Sequence, residues 1–511
     1  MMAAPPVPDT IPELFDEAVA AAPSRVWLRT DGRSFTFSEA HTLVERAASA
    51  MTRLGVGRGD LVLATARNTP ECLFAWLATT CAGAIVVAVN PLAGDRELTA
   101  LIRQVHPRLV VTDADAPEAV RDAGAVSVDV AALYAEAAGP GPRNRPEPDD
   151  PAALIPTSGT TGRSKLVTQT HRAYAMAGEG FPWWMELGPE DRLMTSLPLF
   201  HVNAPAYSVL GSIAARAGLV LLPRFSASTF LDSARRHGAT EFNAIGAMLE
   251  ILMRQPERED DADTSIRLCY TGPSPPEARQ IEIERRFGLR IVCGYALSES
   301  PYGMIWPHGT RPYGTLGTVR QHPRLGVVNE ARVVSERGEV PDGEVGELEL
   351  RNPAVMRGYW DMPEETAEVL RPDGWLRTGD LVRRNADGTY TFVGRRKEVI
   401  RRRGENVAPA EIEEALMTHA EVTDAAVIGV PSDLTEEEIK AFVAVTDPGA
   451  ADLASIREAA AALLTPFKVP RYLEAVAELP HTPTGRVAKH ELPRERTGAE
   501  VDFDRRVQGT G

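Results

Sequence analysis

Between residues 35 and 113, apolar runs alternate with amphipathic stretches at regular intervals. Ser38 is placed to cap a helix that ends near Gly55. The run 61–65 (L-V-L-A-T) reads as a buried strand, and a helix follows Thr69. A strand over 85–89, a helix from Asp95 and a strand over 109–112 continue the series. Strands alternating with helices at this spacing predict a parallel sheet covered on both faces. The uncharged stretch 72–89 is almost long enough to cross a bilayer. Thr79, Thr80 and Gly83 interrupt it, and its period changes at Ile85 from helical to β-like. It therefore reads as a buried helix, a turn and a buried strand, and no membrane span is expected.

Residues 137–151, rich in Pro and Gly, form an expected surface connector. Beyond them the pattern predicts a helix from Tyr174, a strand over 193–197, the turn P-L-F-H-V-N-A, a strand over 219–222 and a helix from Ser228. The charged run 255–264 is expected to be an exposed loop. Runs 268–270 and 290–293 read as buried strands, each ending in a Gly-containing turn. After about residue 328, P-D-G, P-D-G and A-D-G turns separate short strands, which indicates a β-rich subdomain. From Glu411 onward amphipathic helices and short strands suggest a small α+β domain, and the polar stretch 497–511 is expected to fray. The expected fold class is α/β. A large N-terminal domain (1–393) carries mixed, mostly parallel sheets with covering helices and the β-rich subdomain, and a small mobile α+β domain follows (394–511).

Size supports this division, because 511 residues exceed one ordinary core. With 43% hydrophobic and 25% charged residues, wholesale disorder is excluded. A net charge of −16 argues against a nucleic-acid partner. Cys72, Cys81, Cys269 and Cys293 show no C-x-x-C spacing and no Cys/His cluster, as free thiols of a reducing compartment would. The N-terminus lacks the basic region and apolar core of a signal peptide, so a cytoplasmic location is expected.

Candidate chemistry centres on 157–165, T-S-G-T-T-G-R-S-K. Thr157, Ser158, Thr160, Thr161 and Ser164 supply hydroxyls, Gly159 and Gly162 permit positive φ, and Lys165 closes the loop with a point charge. Such a loop can fold as a nest of backbone N–H groups around an oligophosphate. It is not a Walker A loop, because Ser164 rather than Gly precedes the lysine.

Further stretches follow in order: P-L-F-H (198–201), T-G-P-S-P (271–275), G-Y-A-L-S-E (294–299), R-T-G-D-L (377–381), G-R-R-K-E-V-I-R-R-R-G-E-N-V-A-P-A-E-I-E (394–413) and T-P-T-G-R-V-A-K (482–489). In order and spacing the chain resembles the adenylate-forming superfamily of acyl-CoA synthetases, peptide-synthetase adenylation domains and luciferases. Within it, P-L-F-H-V-N-A, F-N-A-I-G-A-M (242–248) and R-R-G-E-N are most similar to the carnitine/crotonobetaine-CoA ligase branch.

The resemblance implies a two-step reaction, in which a carboxylate displaces pyrophosphate from ATP and a thiol, commonly that of coenzyme A, then opens the mixed anhydride. It implies that Thr160, Thr161 and Lys165 grip the leaving phosphates. Glu299 would hold Mg²⁺, although a glutamate there could also simply cap a helix. Ser298 would lie near the α-phosphate. Asp380 and Arg395 would hold the ribose, with Asp380 in a Thr-Gly-Asp turn, and Tyr295 with Gly272, Pro273 and Ser274 would enclose the adenine. His201, Asn203, Trp183, Trp184, Phe242, Asn243, Gly246 and Gly294 map to an acyl pocket with aromatic walls and a few polar groups. Lys397 would be the hinge, and Gly404 and Glu405 would meet the thiol. The run of arginines around Lys397 would otherwise be a solvated face.

Four departures from the family pattern stand out: Ala296 and Ser298 where Gly and Thr are usual, Pro273–Ser274 in place of G-A, and Arg486 where the family has the lysine that touches the substrate carboxylate. Either Arg486 does that task, Lys489 takes it over, or the first step is retuned for another anion. The function read from the chain is adenylation of an aryl or medium-sized organic acid and transfer to coenzyme A. Transfer to an acyl carrier protein or an amine, activation of nitrite for attack by an aryl amine, and a non-catalytic nucleotide-binding homologue are its rivals.

Overall fold

The computed structural model describes residues 9–93, 95–113, 118–122, 124–135, 145–157, 164–272, 274–402, 405–431, 437–464, 466–482 and 487–503, with backbone alone for Asp122, Lys397, Arg401, Glu405, Asn406 and Phe467. The chain divides into two compact units. One comprises Met1–Ala331 and Leu350–Arg377, the other Arg332–Glu349 and Thr378–Gly511. The boundary expected at 393/394 falls inside the second.

The first unit holds two large sheets. In the seven-stranded sheet, Ser127–Asp129, Leu109–Thr112, Leu61–Thr65, Ile85–Ala88 and Pro151–Thr157 run parallel, and Lys165–Thr170 and Gly358–Tyr359 close it antiparallel. In the nine-stranded sheet, Val26–Thr30, Gly218–Leu221, Arg192–Thr195, Glu241–Asn243, Leu268–Thr271 and Arg290–Leu297 are parallel neighbours. The expected mixed, mostly parallel architecture is therefore present. Parallel strands such as Leu61–Thr65, Leu109–Thr112 and Gly218–Leu221 are buried almost end to end, as strands covered on both faces must be.

Helix starts follow local chemistry. Thr69 caps Pro70–Cys81, whose every residue except Glu71 is buried. That all-round burial explains why 72–89 resembles a membrane segment in sequence. No helix among the described residues is long and apolar enough to cross a membrane. Thr36, not Ser38, caps Phe37–Arg53, because only Thr36 stands three residues before Glu39 and completes a reciprocal capping box. Thr170 caps His171–Trp184, so that helix begins before Tyr174. The helix expected from Ser228 begins at Phe230 without a side-chain cap.

Other differences have equally local causes. The loop 255–264 is not wholly exposed: Asp261 is buried against Arg286 at 2.8 Å. Breaking such a pair costs about 3–5 kcal/mol, where an exposed pair contributes about 0–1 kcal/mol. The strand from Arg290 does not turn at Gly294 but continues to Leu297 and pairs with Ser300–Ile305. All four cysteines are buried and unbridged.

The second unit is built on a five-stranded sheet and a four-stranded sheet. The latter contains Val422–Pro431 and Glu437–Val445, ten and nine residues long rather than short. The stretch 497–503 does not fray. Val501–Asp502 pairs with Tyr472–Val476, and Glu500 reaches the fully buried ammonium of Lys440, which also pairs with Glu474 at 2.8 Å. A buried lysine must keep its carboxylates, and that requirement anchors the segment.

Candidate active site

In the first unit, Pro151–Thr157 and Lys165–Thr170, which flank 158–163 in the sequence, pair antiparallel. Thr157 is paired directly with Lys165, and the Thr157 hydroxyl donates to the Lys165 carbonyl at 3.2 Å. A Walker A loop joins a strand to a helix, so this hairpin agrees with its exclusion. Ser158, Gly159, Thr160, Thr161 and Gly162 lie outside the described residues, as do Pro273, Gly404 and Arg486, together with the side chains of Lys397 and Glu405.

Lys165 leaves the loop with its ammonium 4.7 Å from the centre of the Tyr359 ring. The Tyr359 hydroxyl donates to Glu299 Oε1 at 3.0 Å. Burial, and then the adjacent Glu299 carboxylate, raise the phenol well above its usual range, so it stays protonated and donates. One aromatic side chain thus joins the two charges that the sequence singles out. Tyr359 reaches this place because Gly358–Tyr359 adds to the edge of Lys165–Thr170, with Tyr359 opposite Val167.

Glu299 is not a helix cap. Ser298 and Glu299 form the two-residue connection between Arg290–Leu297 and Ser300–Ile305, where Leu297 pairs with Ser300. The connection is held from outside: the fully buried Gln169 donates to the Ser298 carbonyl at 2.6 Å, and the Met356 N–H donates to the Glu299 carbonyl at 2.8 Å. Behind it, Asn352 donates to Ser300, Tyr302 and Asn329 at 3.0–3.3 Å. A carboxylate mounted on so constrained a turn is preorganised for a cation.

Tyr295 lies on the same strand, in register with Met304. Gly272 and Gly294 meet backbone to backbone, since a Cβ on Gly272 would collide with the Gly294 carbonyl. A Cβ on Gly294 would in turn lie 2.7–2.8 Å from Arg320 and Tyr270. Ser274 turns its hydroxyl to the Pro275 carbonyl at 3.2 Å.

The expected acyl-pocket residues separate into two groups. Asn243 donates to Asn203 at 2.6 Å, and its own Oδ1 is buried without a donor. His201 packs its ring against Phe200 in a tilted contact at 4.5 Å just before the π-helix Ala204–Val209, and Gly246 opens the helix Gly246–Met253 with free space where a Cβ would be. Phe242 does not join them. It neighbours Asn243 in a strand, so its side chain faces the other side of the sheet, where it packs on Phe230 at 5.0 Å. Trp183 is 45% exposed and packs on His308, whereas Trp184 is buried against Tyr302.

In the second unit, Asp380 and Arg395 stand directly opposite each other, with Arg395 Nε 3.1 Å from Asp380 Oδ1. The Thr-Gly-Asp motif is not a turn but part of the strand Leu376–Arg384, irregular at Gly379 with φ +73. The Gly379 N–H donates to Glu347, which also holds Arg396 at 2.9 Å. Lys489 is 17% exposed and paired with Glu413 at 2.7 Å and Glu398 at 3.0 Å. Burial works against its charge, but these two carboxylates hold the ammonium above its usual range. It is committed to structure. Lys397 thus sits between two clamped neighbours, Arg396 on Glu347 and Glu398 on Lys489.

Sequence reasoning missed Tyr359, Gln169 and Glu347. The first stands in R-G-Y-W (357–360), where an aromatic after a glycine offered a weak signal, and the other two offered none.

Comparison with known proteins adds to this geometry. Residues 15–360 match the model of the AMP-binding enzyme, and residues 411–486 match the AMP-binding enzyme C-terminal domain. The chain is 32% identical to sulfoacetate–CoA ligase of Cupriavidus necator, an alignment covering 96% of this chain and 98% of that one. It is 29% identical to crotonobetaine/carnitine–CoA ligase of Salmonella typhimurium, over 90% of this chain and 93% of the relative. ATP-bound MatB from Rhodopseudomonas palustris has a similar structure, with a TM-score of 0.86 at 28% identity over 93% of this chain and 97% of that one.

Proposed function

The chain belongs to the AMP-binding enzyme family and is an ATP-dependent, AMP-forming acid–thiol ligase, and on that premise we propose that it adenylates a small polar organic acid and passes the acyl group to coenzyme A. The observation that carries this reading is the cluster Lys165–Tyr359–Glu299. Lys165, with Thr157, Ser158, Gly159, Thr160, Thr161 and Gly162, would neutralise the departing pyrophosphate. Tyr359 would orient Glu299.

Mg²⁺ fits Glu299. The described residues contain no group of three or more metal-binding side chains, and Mg²⁺ needs only one or two carboxylates when phosphates and water complete its shell. Bound there, it would offset the charge that develops on the phosphates. Asp380 and Arg395 would hold the ribose, Tyr295, Gly272, Pro273 and Ser274 the adenine, and Ser298 would face the α-phosphate. Arg486 would guide the substrate carboxylate, since Lys489 is engaged by Glu413 and Glu398. Lys397 would serve as hinge between domains 1–393 and 394–511, and Gly404 and Glu405 would meet the thiol.

A polar acid is favoured over an aryl one by the pocket residues. Asn203 and Asn243 present a polar pair with a buried oxygen still lacking a donor, while Phe242 and Trp183 turn elsewhere. His201, Gly246 and Gly294 would complete the pocket. The two relatives are named for sulfoacetate and for crotonobetaine/carnitine, small acids with a second charged group. Buried, unbridged thiols support a reducing compartment, the cytoplasm.

Product analysis tests the proposal. The protein is incubated with ATP, Mg²⁺, coenzyme A and a panel of sulfonated, quaternary-ammonium, dicarboxylic and aryl acids, with nitrite plus an aryl amine as a further member. The expected products are AMP and the coenzyme A thioester of a small polar acid. Preferential formation of an aryl thioester overturns the polar pocket. AMP release with acyl transfer only to a carrier protein or an amine, or only with nitrite, overturns the acceptor or the acid.

A further inference from the structure

A cavity of about 370 Å³ in the first unit is lined by Arg29, Arg33, Ser34, Arg192, Arg236 and His237. Arg29 comes from the strand Val26–Thr30, Arg192 opens Arg192–Thr195, and His237 ends the helix Phe230–His237. Between the two strands runs Gly218–Leu221, which pairs with both. Its first residue makes the room. A Cβ on Gly218 would lie 2.8 Å from Arg29 Nη1 and 3.1 Å from Arg192 Cγ, so the two arginine side chains meet over the glycine.

Their charges are not balanced in the way those of their neighbours are. Arg33 is forked onto Glu71 at 2.5 and 3.1 Å, and Arg236 and His237 share Asp31 at 2.6 and 3.0 Å. Arg29 donates to the Val26 carbonyl at 3.1 Å and Arg192 to the His237 carbonyl at 3.0 Å. Among the described residues, no carboxylate ion-pairs with either. Burial, and then the nearby Arg192, lower the pKa of Arg29. In a chain with 71 acidic and 55 basic side chains, two half-buried guanidiniums that line one cavity without a carboxylate partner work against folding unless an anion joins them. Arg192 also stands at the amino end of its strand. The carboxyl end of that strand leads to His201 and Asn203, so this cavity is separate from the site described above.

We propose that the cavity is a second ligand site for a phosphate-bearing anion, held by the guanidinium forks of Arg29 and Arg192. Two forks offer enough N–H donors to surround a tetrahedral oxyanion. The volume exceeds the need of one phosphate and takes a diphosphate or a phosphate ester. The inference does not rest on the reaction proposed above, and its test removes that site's phosphate cation.

Thermal unfolding of the full chain carrying Lys165→Ala is followed with inorganic pyrophosphate as probe. Chloride at matched ionic strength controls for screening, and citrate for a polycarboxylate ligand. Pyrophosphate is expected to raise Tm in a saturable way, and chloride to leave it unchanged. Adding Arg29→Met should weaken the apparent pyrophosphate affinity by about tenfold or more. Without anion, Arg29→Met should melt no lower than its parent, because it removes one of two like charges. If it does melt lower, Arg192→Lys carries the test: the charge stays, the fork goes, and affinity should again fall about tenfold. The proposal is overturned if pyrophosphate fails to raise Tm in the Lys165→Ala chain, if both variants keep the parent affinity within twofold, or if citrate acts as strongly as pyrophosphate.

Discussion

Glu299 acts through its surroundings. Its carboxylate is oriented by one phenol, and its backbone is pinned by Gln169 and Met356. Glu299→Gln, which removes the charge and keeps the shape, should lower acid-dependent pyrophosphate exchange by about two orders of magnitude. Tyr359→Phe keeps the ring under Lys165 and loses only the hydroxyl. It should raise the Mg²⁺ concentration needed for half-maximal rate several-fold, a shift that a purely structural role would not produce. Arg486 and Lys489 separate in kind. Arg486→Ala should lower exchange by about two orders of magnitude with an unchanged unfolding midpoint. Lys489→Ala leaves Glu413 and Glu398 without their cation and should cost stability by about 2 kcal/mol in denaturant unfolding. If Lys489→Ala abolishes exchange in a fully stable protein, the role passes to Lys489. At this scale local sequence singles out Lys165 after its hydroxyl-rich stretch, Glu299 as the sole acid of its motif and Asp380 with Arg395; the structure sets Lys165 and Glu299 on either side of Tyr359 and pairs Asp380 with Arg395. Tyr359 and Gln169 were hidden because strand register, not neighbouring sequence, brings them to Glu299. Phe242, expected in the pocket with Asn243, packs on Phe230 on the other face of the sheet, as the period of two requires of its neighbour in the strand.

Elements explain which parts of the site are rigid. The connection at Ser298–Glu299 is tied by hydrogen bonds to two neighbouring segments, and Gly272 packs where no side chain fits. The segment Arg396–Glu398 is different: its flanking ion pairs, Arg396–Glu347 and Glu398–Lys489, are partly exposed and can exchange. Lys397→Pro fixes φ and removes an N–H at this point. Stopped-flow or quench measurement of each half-reaction should show adenylation within a few-fold of the parent and thioester formation at least about tenfold slower. Equal loss of both steps in a folded variant would count against a hinge here. Helix and strand positions were readable from periodicity, because burial on both faces leaves continuous apolar runs. Helix starts were less so. At Thr36 the reciprocal partner Glu39, not the nearest serine, decides the cap. The T-G-D segment and Gly294 looked like turns because glycine permits them, yet the strand runs on through Asp380 in one case and to Leu297 in the other, and the chain turns only at Ser298–Glu299.

At the scale of the molecule, the chain's net charge of −16 and its buried ionic groups set how it responds to pH. His171 is fully buried with neither ring nitrogen partnered, and burial lowers its pKa to about 4. The folded form refuses a proton that the unfolded chain accepts below about pH 6.5. The stability this residue supports is therefore complete above that pH and lost as pH falls toward 4. Urea unfolding of the parent and of His171→Leu across pH 4–7 should show the parent losing roughly 3 kcal/mol relative to the variant on acidification. A constant gap would mean that His171 is charged or hydrated in the fold. The two-part organisation was legible in composition, but the path of the chain was not. The segment Arg332–Glu349 joins the second unit ahead of Leu350–Arg377, which returns to the first. The anchoring of 497–503 by Lys440 depends on a contact across sixty residues that no local pattern announces. The most direct test of the central claim is acid-dependent exchange of labelled pyrophosphate into ATP, with AMP and thioester counted in the same reaction. The account predicts exchange only when a substrate acid is present, one AMP per thioester once coenzyme A is added, and a fall of about two orders of magnitude in Lys165→Ala. Release of ADP and phosphate, exchange indifferent to the acid, or full exchange in Lys165→Ala would contradict it.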